Sequence, residues 1–182
     1  GIYGMGNIGT AVAAFSVPAI RDSAGQEVAG LVFGAVIAVY GLIWWSLARD
    51  VPDREPVRQP YGEVLRSGWP LWRLAFFYFV TFGGFVAMAI FLPKLLRDWF
   101  GYSLTDAGLR AAGFTVVATA ARPIGGWLSD RLGATLVLLV AFIGIGLDAA
   151  ALGALASSPT IVPVTVACLT LAAFFGAGSG AV

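Results

Sequence analysis

Histidine is absent, cysteine occurs once, and charged residues fill only 12% of the 182 positions. Without histidine, this segment supplies no His-dependent triad, His metal ligand or His proton relay. The one cysteine, Cys168, lies in an apolar run, which excludes a disulfide framework and a cysteine metal site. An average soluble domain is about 25% charged and about 45–50% apolar. Here 59% of residues are hydrophobic and the mean hydropathy is +0.87, which excludes a disordered chain, a coiled coil and most soluble enzymes. A formal charge of +1 gives no global field for nucleic acid. Nor does a basic stretch precede an apolar run at the start, so no signal peptide is read there. The chain opens on Gly1 and stops inside an apolar stretch. Both ends read as cut, and a segment of a longer protein is expected.

What is present is apolar sequence in long runs. A bilayer core needs roughly 20 apolar residues in a helix. Six stretches reach or approach that length: 1–20, 28–48, 72–92, 108–128, 134–156 and 160–182. Spanning strands would have to close as a barrel, and these runs are too long for them. The expected fold is all-α, a polytopic membrane helix bundle. The connections are short except 49–71, a polar stretch with Pro52, Pro56, Pro60 and Pro70. A shorter loop, 93–107, is expected between the third and fourth spans, with Trp99, Phe100 and Tyr102 as an interfacial anchor. Orientation follows Lys and Arg. Arg49, Arg54, Arg58, Arg66 and Arg131 in the second and fourth loops outweigh Arg21, Lys94 and Arg97 in the others. That bias puts the long loop and the turn 129–133 in the cytoplasm.

Gly4-Met5-Gly6-Asn7-Ile8-Gly9 fits the dinucleotide-binding pattern G-x-G-x-x-G, but it sits in an apolar run with no strand before it. Close helix packing is the better reading, because glycines let backbones approach where lipid removes the hydrophobic drive. Asn7 is then an amide at bilayer depth that wants a partner or a ligand. Gly30 with Gly34, and Gly176 with Gly180, repeat the small-residue spacing.

Charge inside the apolar runs carries the functional argument. Arg122 precedes Pro123 and lies six residues from Leu128, about 9 Å along a helix. Snorkelling or pairing with a carboxylate would explain it structurally. An anion site in a central cavity would explain it functionally, since a guanidinium stays charged and its planar fork suits planar oxyanions. Pro123 fits a helix that bends around a cavity. Tyr78 and Phe82 share a helix face, either as packing or as walls of the same site. Asp148 is an interior acid, able to carry a coupling proton or to sit at an interface. The stretch from Gly126 through Ser129, Asp130 and Arg131 to Gly133 reads as a polar turn between spans, ordinary or a gating latch.

That turn, Gly126-Trp127-Leu128-Ser129-Asp130-Arg131-Leu132-Gly133, resembles the loop signature of the major facilitator superfamily, without the usual basic pair after Gly133. Gly4 to Val12 is similar to the glycine-rich signature of the nitrate/nitrite porter branch in its fifth helix. Ala121-Arg122-Pro123-Ile124-Gly125-Gly126 resembles the eighth helix, which holds one of two nitrate-binding arginines. Tyr78 to Gly83 resembles the seventh, whose Tyr and Phe line the anion site. Gly176, Gly178 and Gly180 fall in a stretch resembling the second glycine-rich signature, with Ser179 where Asn is usual.

The resemblance implies a major facilitator fold, truncated at both ends and spanning helices five to ten of twelve. It divides the chain into the end of an N-terminal bundle (1–48), a central cytoplasmic loop (49–71) and most of a C-terminal bundle (72–182). It implies a multi-pass protein of the inner (plasma) membrane that takes up nitrate, exports nitrite or exchanges them by alternating access. Arg122, Tyr78, Phe82 and Asn7 would contact the anion, Gly126, Asp130, Arg131 and Gly133 would form the gating loop, and Asp148 is the candidate for proton coupling. The implied partners are nitrate, nitrite and the lipid bilayer, with the protein a monomer, no nucleic acid, no metal, no cofactor and no enzymatic activity. A transporter of another small anion, or an anion sensor that does not transport, would share these features.

Overall fold

A computed structural model describes residues 8–49, 62, 65–66 and 68–182. Among them the regular structure is helical, with no strand. Helix α1 is Ile8–Ala24 and α2 is Gln26–Leu47. Helix α3, Trp69–Tyr78, runs through a π-helical turn, Phe79–Gly83, into α4, Gly84–Phe100. Then follow α5, Leu104–Leu132, α6, Ala134–Leu155, and α7, Ile161–Ala181. Asn7, Gly4 and Gly6 lie outside the described residues, as does most of 49–71.

The helices outrun the apolar stretches at two places. Most of the expected loop 93–107 is helix: α4 continues through Pro93 to Phe100, and α5 starts at Leu104. The exposed pair Lys94–Asp98, 2.5 Å apart and one turn distant, supports the polar last turns of α4. Gly101, at φ +67°, then ends the helix in the left-handed region, and its N–H reaches the Arg97 carbonyl at 2.9 Å. Ser103 caps α5 by accepting from the Asp106 N–H at 3.1 Å. At the other end, the expected turn 129–133 is mostly the last turn of α5. Only Gly133 (φ +89°) breaks the path before α6. Helix α5 is assigned unbroken through Pro123.

Among the described residues, four rods are long and apolar enough to cross a membrane: Gln26–Leu47, Trp69–Phe100, Ala134–Leu155 and Ile161–Ala181. Helix α1 as described is 17 residues and falls short in length, while α5 carries Asp106, Arg110, Arg122, Asp130 and Arg131 and falls short in apolar composition. The 29 residues of α5 nevertheless extend about 44 Å, and α5 packs along α7.

That packing is backbone against backbone. A Cβ on Gly125 would overlap the Ala177 carbonyl oxygen, one on Gly176 the Ala118 carbonyl oxygen, and one on Gly180 that of Arg122. With no side chain in the way, the two helices touch at three points over about two turns of α5, as small residues allow in lipid. Around this seam lie the fully buried Phe114, Leu92 and Val164. Helix α1 joins through Gly108, where a Cβ would stand 2.8 Å from Pro18 Cγ.

Candidate functional site

Arg122 points from α5 toward α7 and the π-helical turn. Its Nε donates to Ser179 Oγ at 2.8 Å, across 57 residues of sequence. Its guanidinium carbon stands 4.7 Å from the centre of the Phe82 ring, inside the range of a cation–π contact. Its Nη2 is buried and has no hydrogen-bond partner among the described residues. A buried, charged donor without a partner costs on the order of 1–3 kcal/mol or more. It is therefore a donor held ready for an acceptor. Among the described residues the one ion pair is Lys94–Asp98, so no carboxylate in that set neutralises Arg122.

The π-helical turn carries the ring that faces it. Thr81, fully buried, donates from Oγ1 to the Phe77 carbonyl at 2.8 Å. Gly83 and Gly84 follow, and Phe175 of α7 fills the space beside Gly84, where a Cβ would lie 2.7 Å from its Cζ. Single π turns inside helices often mark functional sites. Here the turn presents Phe82 to Arg122 and stacks Tyr78 on Phe82, centroids 5.0 Å apart and planes 25° apart. The rings continue inward from Phe82 to Phe85 at 6.0 Å and from Phe85 to Phe114 at 6.0 Å. Arg122 and Phe82 thus meet directly, and Tyr78, 42% exposed, stands one ring further out.

Ser179 is the residue that sequence reasoning left out of the site. Its departure from the resembled signature was visible, but its partner lies on another helix. Gly176, Gly178 and Gly180 lie on its helix. A Cβ at Gly178 would stand 2.7 Å from Thr81 Cγ2, which ties α7 to the π turn. A Cβ at Gly9, Gly30 or Gly34 would meet nothing within 4 Å.

The other marked residues lie apart. Asp148 on α6 accepts from Thr170 Oγ1 of α7 at 3.0 Å, and its Oδ2 is buried without a partner among the described residues. Thr170 and Ser179 are nine residues apart on α7, about 14 Å along the axis. Asp130 is exposed on the last turn of α5. Arg131 lies over the Trp127 ring at 4.5 Å. Gly126 approaches α7, where a Cβ would stand 3.3 Å from the Gly180 carbonyl oxygen. No cluster of His, Cys, Asp and Glu able to hold a metal occurs among the described residues.

Membrane-length helices docked through glycine, with a guanidinium held between two of them, define a polytopic membrane helix bundle. The chain belongs to the Major Facilitator Superfamily, whose family model matches residues 1–182. It is a multi-pass membrane protein. It is 39% identical to the nitrite extrusion protein of Bacillus subtilis, over all of this chain and 46% of that protein. It is 36% identical to the "Probable nitrate/nitrite transporter NarK2" of Mycobacterium tuberculosis, over all of this chain and 46% of that one. Identity to the "Probable nitrate transporter NarT" of Staphylococcus aureus is 39%, over 99% of this chain and 46% of that relative. The chain spans about half the length of the curated relatives it matches. No solved structure matches it.

Proposed function

We propose that the protein carries nitrate, nitrite or both across the inner (plasma) membrane by alternating access, and that Arg122 binds the anion. The observation that carries this reading is the buried, unpartnered Nη2 of Arg122 beside the Phe82 ring. The planar fork can donate two parallel hydrogen bonds to two oxygens of a flat anion. Phe82 excludes water from one face of that fork. Tyr78, stacked on Phe82 and part exposed, forms the outer wall and offers a hydroxyl. Asn7, which the sequence expectation adds, would support the site. The names of the three relatives support nitrate and nitrite as substrates over other small anions.

Residues 1–48 then close the N-terminal bundle, 49–71 cross between halves in the cytoplasm, and 72–182 form most of the C-terminal bundle. Gly126, Asp130, Arg131 and Gly133 lie at the cytoplasmic end of α5 and act in gating. The halves work as a monomer in the bilayer, without cofactor or enzymatic step.

Because an arginine keeps its proton, exchange of nitrate for nitrite needs no proton at this site. Proton-coupled uptake would need a titratable group, and Asp148 is the candidate that this chain offers. Thr170 Oγ1 has one proton and three near acceptors, Asp148 Oδ1 at 3.0 Å, the Val166 carbonyl at 2.9 Å and the Ala167 carbonyl at 3.2 Å. A proton on Asp148 would let Asp148 donate to Thr170 while Thr170 donates to the Val166 or Ala167 carbonyl.

The test is nitrate and nitrite flux in proteoliposomes of the full-length protein beside Arg122→Lys, which keeps the charge and loses the fork. Flux in the unaltered protein, falling at least about a hundredfold in the variant, is expected for two lost charge-assisted bonds. Equal flux in both makes Arg122 a structural charge. No flux of either anion by a folded protein turns the reading to another solute or to a sensor.

A further inference from the structure

We infer that Ser179 is a positioning residue that decides which edge of the Arg122 guanidinium meets the anion. The inference rests on the reading that Arg122 binds it. A guanidinium offers a flat anion two bidentate edges, one formed by Nε and Nη2 and the other by Nη1 and Nη2. Ser179 Oγ accepts the single Nε proton at 2.8 Å. The Ser179 proton is itself donated to the Gly176 carbonyl at 3.0 Å. The hydroxyl is therefore held from behind, with its lone pair turned to Arg122. The first edge is taken, and the second edge, with the unpartnered Nη2, is left for the anion.

The supports on either side make this a rigid arrangement. The Arg122 backbone touches α7 at Gly180, next to Ser179, and Ala118 touches it at Gly176, one turn earlier. A side chain at either glycine would part the two helices. The Phe82 ring covers one face of the guanidinium. The Ser179 bond restrains rotation of the fork about the Cδ–Nε bond. Loss of that bond leaves the positive charge in place and costs its orientation, so affinity for the anion falls while the conformational cycle is untouched. A rise in KM with little change in Vmax is the signature of lost binding in ground and transition states alike.

The experiment measures nitrate uptake by the full-length protein in proteoliposomes for Ser179→Ala, Ser179→Cys and Ser179→Thr, with Arg122→Lys alongside. Cysteine keeps nearly the size of serine and accepts weakly, and threonine keeps the hydroxyl. The expected result is a nitrate KM raised about tenfold in the Ala and Cys variants, the equivalent of one bond to a charged group. Vmax should stay within about twofold, and threonine should restore KM to within about threefold of the unaltered value. A KM unchanged in both Ala and Cys, or a loss of Vmax shared equally by Cys and Thr, overturns the inference. If Arg122→Lys abolishes uptake while Ser179→Cys leaves KM unchanged, only the role of Ser179 fails. If Arg122→Lys transports normally, the reading beneath it fails. Should Ser179→Ala not fold, the contrast of Cys with Thr decides alone.

Discussion

Helix α2 and the α5–α7 seam are both regular helix, but they use their residues in opposite ways. In α2 one residue, Ala29, is buried, and Trp45, Leu31 and Leu47 are 88%, 73% and 73% exposed. Many of its exposed side chains are large and apolar, suited to acyl chains or to further parts of the protein. In the seam, glycine and alanine remove the side chains, and carbonyl groups of one helix rest against Cα atoms of the other. Apolar area decides that a helix enters the bilayer. Small residues decide which neighbour it docks on once there, because lipid competes equally for every large apolar side chain. The site follows from the second property. Arg122 and Ser179 can bond at 2.8 Å because their helices touch at Gly180.

The most severe way to break this contrast is a large side chain in the seam. Gly125→Leu must part α5 from the Ala177 carbonyl. It should cost upward of about 3 kcal/mol and remove most folded protein, read by size-exclusion of detergent extracts. Gly41→Leu on α2, where a Cβ meets nothing within 4 Å, should leave the yield within about twofold. Equal losses would erase the distinction. A milder probe is Thr81→Val, which keeps the shape, removes the hydroxyl and frees the Phe77 carbonyl. The expected loss is about 1 kcal/mol, seen as a lower thermal midpoint, with a further rise in nitrate KM because Phe82 is carried on the same turn. The smallest effect on folding is expected from Asp148→Asn, within about 0.5 kcal/mol, since an amide oxygen can still accept from Thr170. That variant should retain nitrate–nitrite exchange and lose any uptake driven by a pH gradient. Loss of exchange would place Asp148 in the anion pathway itself.

Much of the bundle was legible in the sequence because bilayer thickness imposes run lengths that hydropathy reads directly. The stretches 134–156 and 160–182 match α6 and α7 to within a residue at each end. The stretch 93–107 was misread, since hydropathy stops at the edge of the hydrocarbon while a helix need not. Lys94, Arg97 and Asp98 look like loop residues in composition and act as the solvated last turns of α4. The turn after Leu128 failed for the same reason. The π-helical turn had no signal of its own in the hydropathy, and the ring packed beside it at Gly84, Phe175, comes from a distant helix. At the site, Arg122 and Phe82 could be singled out one at a time, by a charge in an apolar run and by an aromatic stripe. Their meeting, and the part of Ser179 in it, depended on which helices dock. Residue spacing along one chain does not contain that information.

The central claim, that the free edge of Arg122 receives the anion, is tested most directly by an experimental structure of the full-length protein with nitrate. A planar anion within hydrogen-bond distance of Arg122 Nη1 and Nη2, beside Phe82 and with the Ser179–Nε bond intact, is the predicted result. An anion bound elsewhere, with Arg122 Nη2 paired to a carboxylate or carbonyl of the protein, would contradict it.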